Sequence, residues 1–80
     1  MATSPQPGPL APILGAAVIF SDRDGEPWQV MELDCGEVPG ARGARCLVFI
    51  SDSVMRRVWS YPADWRLLDA AELMEVSWRR

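Results

Sequence analysis

Stretches of strand-like apolar residues alternate along this chain with clusters of turn residues, and a short stripe of helical period closes it. Cys46-Leu47-Val48-Phe49-Ile50 is apolar at every position, between Arg45 and Ser51-Asp52. Such a run suits a strand buried on both faces in the middle of a sheet. Residues 13–21, rich in β-branched and aromatic side chains, predict a first strand that ends in Asp22-Arg23-Asp24-Gly25-Glu26. Asp-Gly is a strong hairpin signal, because a type I′ turn needs positive φ at both central residues. With Asp24 and Gly25 as a two-residue loop, residues 28–35 return antiparallel, with Phe20 facing Gln29, Val18 facing Met31 and Ala16 facing Leu33. That register puts Ile19, Val30, Ala17 and Trp28 on the other face, beside Ser21 and Glu32.

Residues 36–44 hold three glycines and a proline, which predicts a loop that reverses the chain. Symmetric closure sets Cys35 opposite Cys46, Leu33 opposite Val48 and Met31 opposite Ile50. Phe49 and Leu47 then lie opposite Glu32 and Asp34, with no obvious cover from the chain itself. After Ser51-Asp52-Ser53, residues 55–61 read as a fourth strand. A two-residue loop turns Trp59 and Tyr61 to the face of Val48 and Cys46; a three-residue loop puts Val58 there instead. The first buries more aromatic area and is preferred.

Pro62-Ala63-Asp64-Trp65 ends the sheet, with Trp65 and Leu68 placed to plug it. Asp69-Ala70-Ala71-Glu72 has capping-box spacing and opens a helix whose docking stripe is Ala70, Leu73, Met74, Ser77 and Trp78; Glu75 and Arg79 are spaced to pair outside. A helix this short is marginal alone in water and must dock on the sheet. The fold expected is small α+β: an antiparallel four-stranded meander, open or curled in an SH3-like manner, with one short C-terminal helix over residues 13–80. An extended proline-rich arm, residues 1–12, precedes it, with Pro5, Pro7, Pro9 and Pro12 disfavouring helix and central strand.

Composition narrows the chemistry. Eighty residues hold one small core, and 49% hydrophobic content with four tryptophans leaves apolar surface to spare. The eight basic residues are all arginine, against eleven acidic ones, for a net charge of -3. Lysine and histidine are absent, so no imidazole base, histidine ligand or amine nucleophile exists. Cys35, Cys46 and the serines have no base at a useful spacing, and the chain is expected not to be an enzyme. Two cysteines without histidine do not complete a zinc site; they fit small buried hydrophobes, with a cross-strand disulfide or a shared soft metal as the alternatives. Asp22, Asp24 and Glu26 alternate like a calcium loop, yet Met31 stands where such a loop needs its glutamate, so an acidic turn is the simpler reading. The glycine-rich loop matches no phosphate-binding spacing. No cofactor, metal or small-molecule substrate is expected.

Residues 10–20, broken by Pro12 and Gly15, form neither a secretory signal nor a bilayer span, and reduced thiols in the cytoplasm are the expected setting. The apolar surplus points to a protein-protein interaction module, an accessory or stabilising subunit of a larger bacterial assembly, reaching a membrane only through its partner. A large membrane complex such as a photosynthetic reaction-centre and antenna assembly is one candidate. The residues expected to meet that partner are Pro9, Leu10 and Pro12 of the arm, with Ile19, Trp28, Val30 and Phe49 of the sheet. The alternative is a small single-stranded nucleic-acid-binding domain, since arginines interleave with aromatics at Arg56-Arg57-Val58-Trp59, Trp65-Arg66 and Trp78-Arg79-Arg80. The net acidic charge weighs against it.

Phe20, Asp22, Gly25, Trp28, Val30, Leu47 to Phe49, Arg56, Arg57, Tyr61, Pro62, Trp65, Leu68, Glu72 and Leu73 lie in a pattern that resembles small proteins of high-GC bacterial genomes. The resemblance covers about three quarters of the chain, leaves out the arm, and implies no particular activity.

Overall fold

A nine-residue strand, β1 (Ile13–Ser21), opens the fold and matches the apolar stretch that predicts it. In the computed structural model, which describes residues 12–79, it is followed by β2 (Pro27–Asp34), β3 (Arg45–Ile50) and β4 (Met55–Val58). These make one antiparallel sheet in the order β1-β2-β3-β4, with β1 and β4 at its edges, so the sheet is open and not closed into an SH3-like barrel. A 3-10 turn, η1 (Trp65–Leu67), and the helix α1 (Ala70–Val76) complete the α+β fold. Residues 1–11 of the expected arm, with Pro9 and Leu10, lie outside the described residues.

The first hairpin departs from the two-residue turn by one residue, and the consequence is a change in which β1 side chains share a face with those of β2. Phe20 pairs with Trp28, Ile19 with Gln29 and Val18 with Val30. The cause is the side chain of Asp22. Its Oδ1 accepts hydrogen bonds from the backbone N–H of Asp24 and of Glu26, each at 2.9 Å, and its Oδ2 accepts from the Trp28 indole Nε1 at 3.0 Å. The Asp22 N–H donates to the Glu26 carbonyl, which closes a wider loop over residues 22–26 with Gly25 at φ +82°. An aspartate that satisfies its own turn in this way competes successfully with the tighter type I′ geometry. Because side chains alternate with period two, a one-residue change moves Trp28 and Val30 onto the face of Phe20 and Val18.

Between β2 and β3 the register shifts by two residues from symmetric closure, which changes the pairs and keeps the faces. Leu33 pairs with Cys46, Met31 with Val48, Val30 with Phe49 and Glu32 with Leu47. The β3–β4 pairing, with Ile50 opposite Met55 and Leu47 opposite Val58, is that of the two-residue loop. Trp59 accordingly packs with Cys46 and Val48, while β4 stops at Val58 and the chain turns, so Tyr61 swings to the other side and not with Trp59.

The larger core cluster is thereby built on one face. Trp28, Val30, Leu47, Phe49 and Val58 pack there against Trp65, Leu73 and Val76, with Val18, Phe20, Tyr61 and Leu68 at the margin. Phe20 meets Phe49 edge-on, with ring centroids 6.4 Å apart. The helix starts as its sequence predicts: Asp69 Oδ1 accepts from the Glu72 N–H at 2.8 Å, and Glu72 Oε1 accepts from the Asp69 N–H at 3.0 Å. Its buried side chains are Leu73 and Val76 with Ser77 just beyond; Trp78 is exposed, because the helix ends at Val76 and the expected stripe runs out with it. Arg79 also falls past the helix end, and among the described residues the ion pair present is Arg66 with Glu32, not Glu75 with Arg79.

Candidate functional site

Helix, 3-10 turn and the larger core cluster lie on one side of the sheet, and among the described residues no helix covers the opposite side. Register assigns the two sides. Ile13, Ile19, Gln29, Met31, Leu33, Cys46, Val48, Ile50, Met55 and Arg57 share the helix-free face. Among the described residues, cover there comes from the 36–44 loop, whose Val38 and Ala41 pack on the cluster of Leu33, Cys35, Cys46 and Val48, with Met31, Ile50 and Trp59 half-buried around them. Beyond the loop's reach Ile19 is 74% exposed, Met55 63% and Ile13 49%. Arg57 is the charged side chain of that face and lies 6.0 Å from the centre of the Trp59 ring.

This arrangement redistributes the expected partner-binding residues. Ile19 stands on the open face as an exposed apolar side chain. Trp28, Val30 and Phe49 do not: they are buried in the core beneath α1 and Trp65, and the side of Phe49 expected to lack cover is the side the helix covers. Pro12 is exposed, and its carbonyl accepts the Asp34 N–H at 2.9 Å, which extends the β1–β2 ladder by one bond. Sequence reasoning missed Met31, Ile50, Met55 and Trp59 as members of the open face. It set Met31, Ile50 and Trp59 on the side of Val48 and Cys46, as observed, but alternation does not say which side the helix covers, and that side is the one of Val30, Leu47 and Phe49.

Of the arginines that suggested nucleic-acid binding, Arg56 and Arg66 are engaged inside the fold. The Arg56 guanidinium sits 3.8 Å from the centre of the Trp78 ring and 5.1 Å from that of Trp28, and its Nη1 donates to Ser77 Oγ at 3.1 Å. Arg56 thus ties β4 to the end of α1. Arg66 lies over Trp65 at 4.3 Å, donates from Nη2 to the Leu14 carbonyl at 2.6 Å, and approaches Glu32 Oε1 to 3.7 Å through Nη1. The buried Glu32 also accepts a 2.7 Å hydrogen bond from the Tyr61 hydroxyl. Burial first, then that bond to a carboxylate, push the Tyr61 phenol well above its ordinary value. A recess of about 550 Å³ opens beside this group, between Trp59, Tyr61, Arg45 and Arg66. A second, of about 860 Å³, lies between the 21–24 turn and α1 and carries four carboxylates around Met74 and Trp78.

The acidic turn has no spare ligand in Asp22, whose carboxylate is used up by two backbone N–H groups and the indole of Trp28; that indole bond, chiefly, holds its carboxyl below the usual range. Cys35 and Cys46 are free, buried thiols, with Sγ atoms 3.1 Å apart. No helix among the described residues is long and apolar enough to cross a membrane. Comparison of the chain with protein-family models, with curated proteins and with solved structures gives no match.

Proposed function

We propose that this chain is a non-catalytic protein-protein interaction module, an accessory subunit that docks through the helix-free face of its sheet. One observation carries the reading: that face presents Ile13, Ile19 and Met55 to solvent around a half-buried floor of Met31, Ile50 and Trp59, while the other face is closed by α1. In an 80-residue chain with few core positions, large apolar side chains left together on one surface are most simply accounted for by a partner that covers them. The partner's surface is apolar at its centre, with a carboxylate placed to meet Arg57.

Ile19 and Met55 test this because neither supports the core. Replacing both with aspartate leaves the thermal transition in place and weakens capture of the native partner at least about tenfold, whereas Leu67→Asp, an equally exposed apolar position on η1, leaves capture intact. Equal capture by all three proteins refutes the assignment of the face. A second reading, single-stranded nucleic acid on the same face, draws on Arg57 beside Trp59 alone, since Arg56 and Arg66 are held within the fold. Salt-sensitive retention of an oligonucleotide, abolished by Arg57→Ala, favours it instead.

A further inference from the structure

The apolar cluster below the open face contains two thiols that docking does not use. Cys35 immediately follows β2 and Cys46 lies within β3; they are 3% and 0% exposed, with Sγ atoms 3.1 Å apart. Their side chains share a face, one register step apart, since Leu33 and not Cys35 pairs with Cys46. The Cys35 N–H donates to the Ala44 carbonyl at 2.7 Å, which brings the two ends of the 36–44 loop together. A disulfide needs its sulfurs at about 2.05 Å, roughly 1 Å closer than the 3.1 Å found here. Val38 and Ala41, which pack against the cluster that holds both cysteines, belong to a loop whose Glu37, Pro39, Gly40 and Arg42 are exposed.

We propose that Cys35 and Cys46 form a redox-active pair, a dithiol here, that is converted to an intramolecular disulfide by exchange with a low-molecular-weight disulfide such as oxidised glutathione. Cys35, at the loop junction, loses its proton and attacks one sulfur of glutathione disulfide, which expels one glutathione thiolate and leaves a mixed disulfide. Cys46 then loses its proton and attacks the Cys35 sulfur, which expels the second glutathione thiolate and closes the Cys35–Cys46 bond. Two protein thiols are oxidised, one glutathione disulfide is reduced to two thiols, and the two protons end on them. Burial, followed by the neighbouring Cys35, pushes the Cys46 thiol up to about 12, which keeps it protonated and disfavours it as the first attacker. The product staples both ends of the 36–44 loop, which packs on the helix-free face. This inference stands on the thiol geometry and does not rest on the docking reading.

The test uses the full chain in native buffer with excess oxidised glutathione, followed by acid quench, alkylation of free thiols and intact mass. The expected product is a monomer lighter by two hydrogens, with no glutathione and no alkyl group attached, and with a higher Tm than the reduced chain. Cys46→Ser is expected to stop at one glutathione on Cys35. Wild-type protein that stays alkylatable at both thiols while a denatured control oxidises, that retains glutathione, that links into dimers, or that melts lower when oxidised overturns the proposal.

Discussion

Asp22 shows how a single side chain decides more than its own surroundings. Its carboxylate organises the 22–26 loop and holds the Trp28 indole, and through that loop it sets which face Trp28 and Val30 occupy. A carboxyl whose folded value lies below the ordinary 3.8 stabilises the fold above that value and loses the contribution as pH falls through the folded one. Followed by NMR, the Trp28 indole N–H is therefore expected to shift with a midpoint below 3.8, and Asp22→Asn to abolish that acid transition. Tyr61 has the opposite sign. Its phenol is raised, so its contribution is complete below the unfolded value near 10 and is lost only as pH climbs toward the folded value. Tyr61→Phe removes a hydrogen bond to the buried Glu32 and is expected to cost about 1–2 kcal/mol at neutral pH in denaturant titration, with a flatter decline in alkali.

The elements were legible to different depths, and the differences have physical causes. Strand β1 and the capped start of α1 follow from local chemistry, β-branched content in one and a reciprocal Asp69–Glu72 cap in the other, so their bounds could be read directly. Asp69→Ala is expected to cost about 1 kcal/mol, measured by thermal or denaturant unfolding. Register is not local in that sense. The Asp24-Gly25 pair signals a tight turn, and the Asp22 side chain, two residues earlier, overrides it. The β2–β3 slip did less harm, because two residues preserve the face while one residue inverts it. The bulge between Leu14 and Val18 was also hidden: Gly15 takes φ +76°, and a Cβ there would come within 2.6 Å of Arg66 Nη2, which donates to the Leu14 carbonyl. Gly15→Ala is expected to destabilise by about 1–3 kcal/mol, through backbone strain and loss of the Arg66 contact, as read from the unfolding midpoint.

At the scale of the whole molecule, the sheet is apolar on both sides, and alternation alone does not say which side receives the helix. Trp65, Leu73 and Val76 settle it by packing on Phe49, Leu47 and Val30, and the residues expected to meet a partner become core. Phe49→Ala is accordingly expected to cost about 3–5 kcal/mol, close to the whole stability of a domain this size, while Ile19→Ser stays within about 0.5 kcal/mol. The proposed docking role falls to the face opposite the helix, where Ile19 is the one sheet residue of the expected partner-binding set that is exposed. Its assignment is tested most directly by placing a photo-cross-linking amino acid at Met55 on that face, or at Leu67 on η1, in the native cell. One protein adduct from Met55 and none from Leu67 is the expected result; adducts from Leu67 with none from Met55 would contradict the docking face.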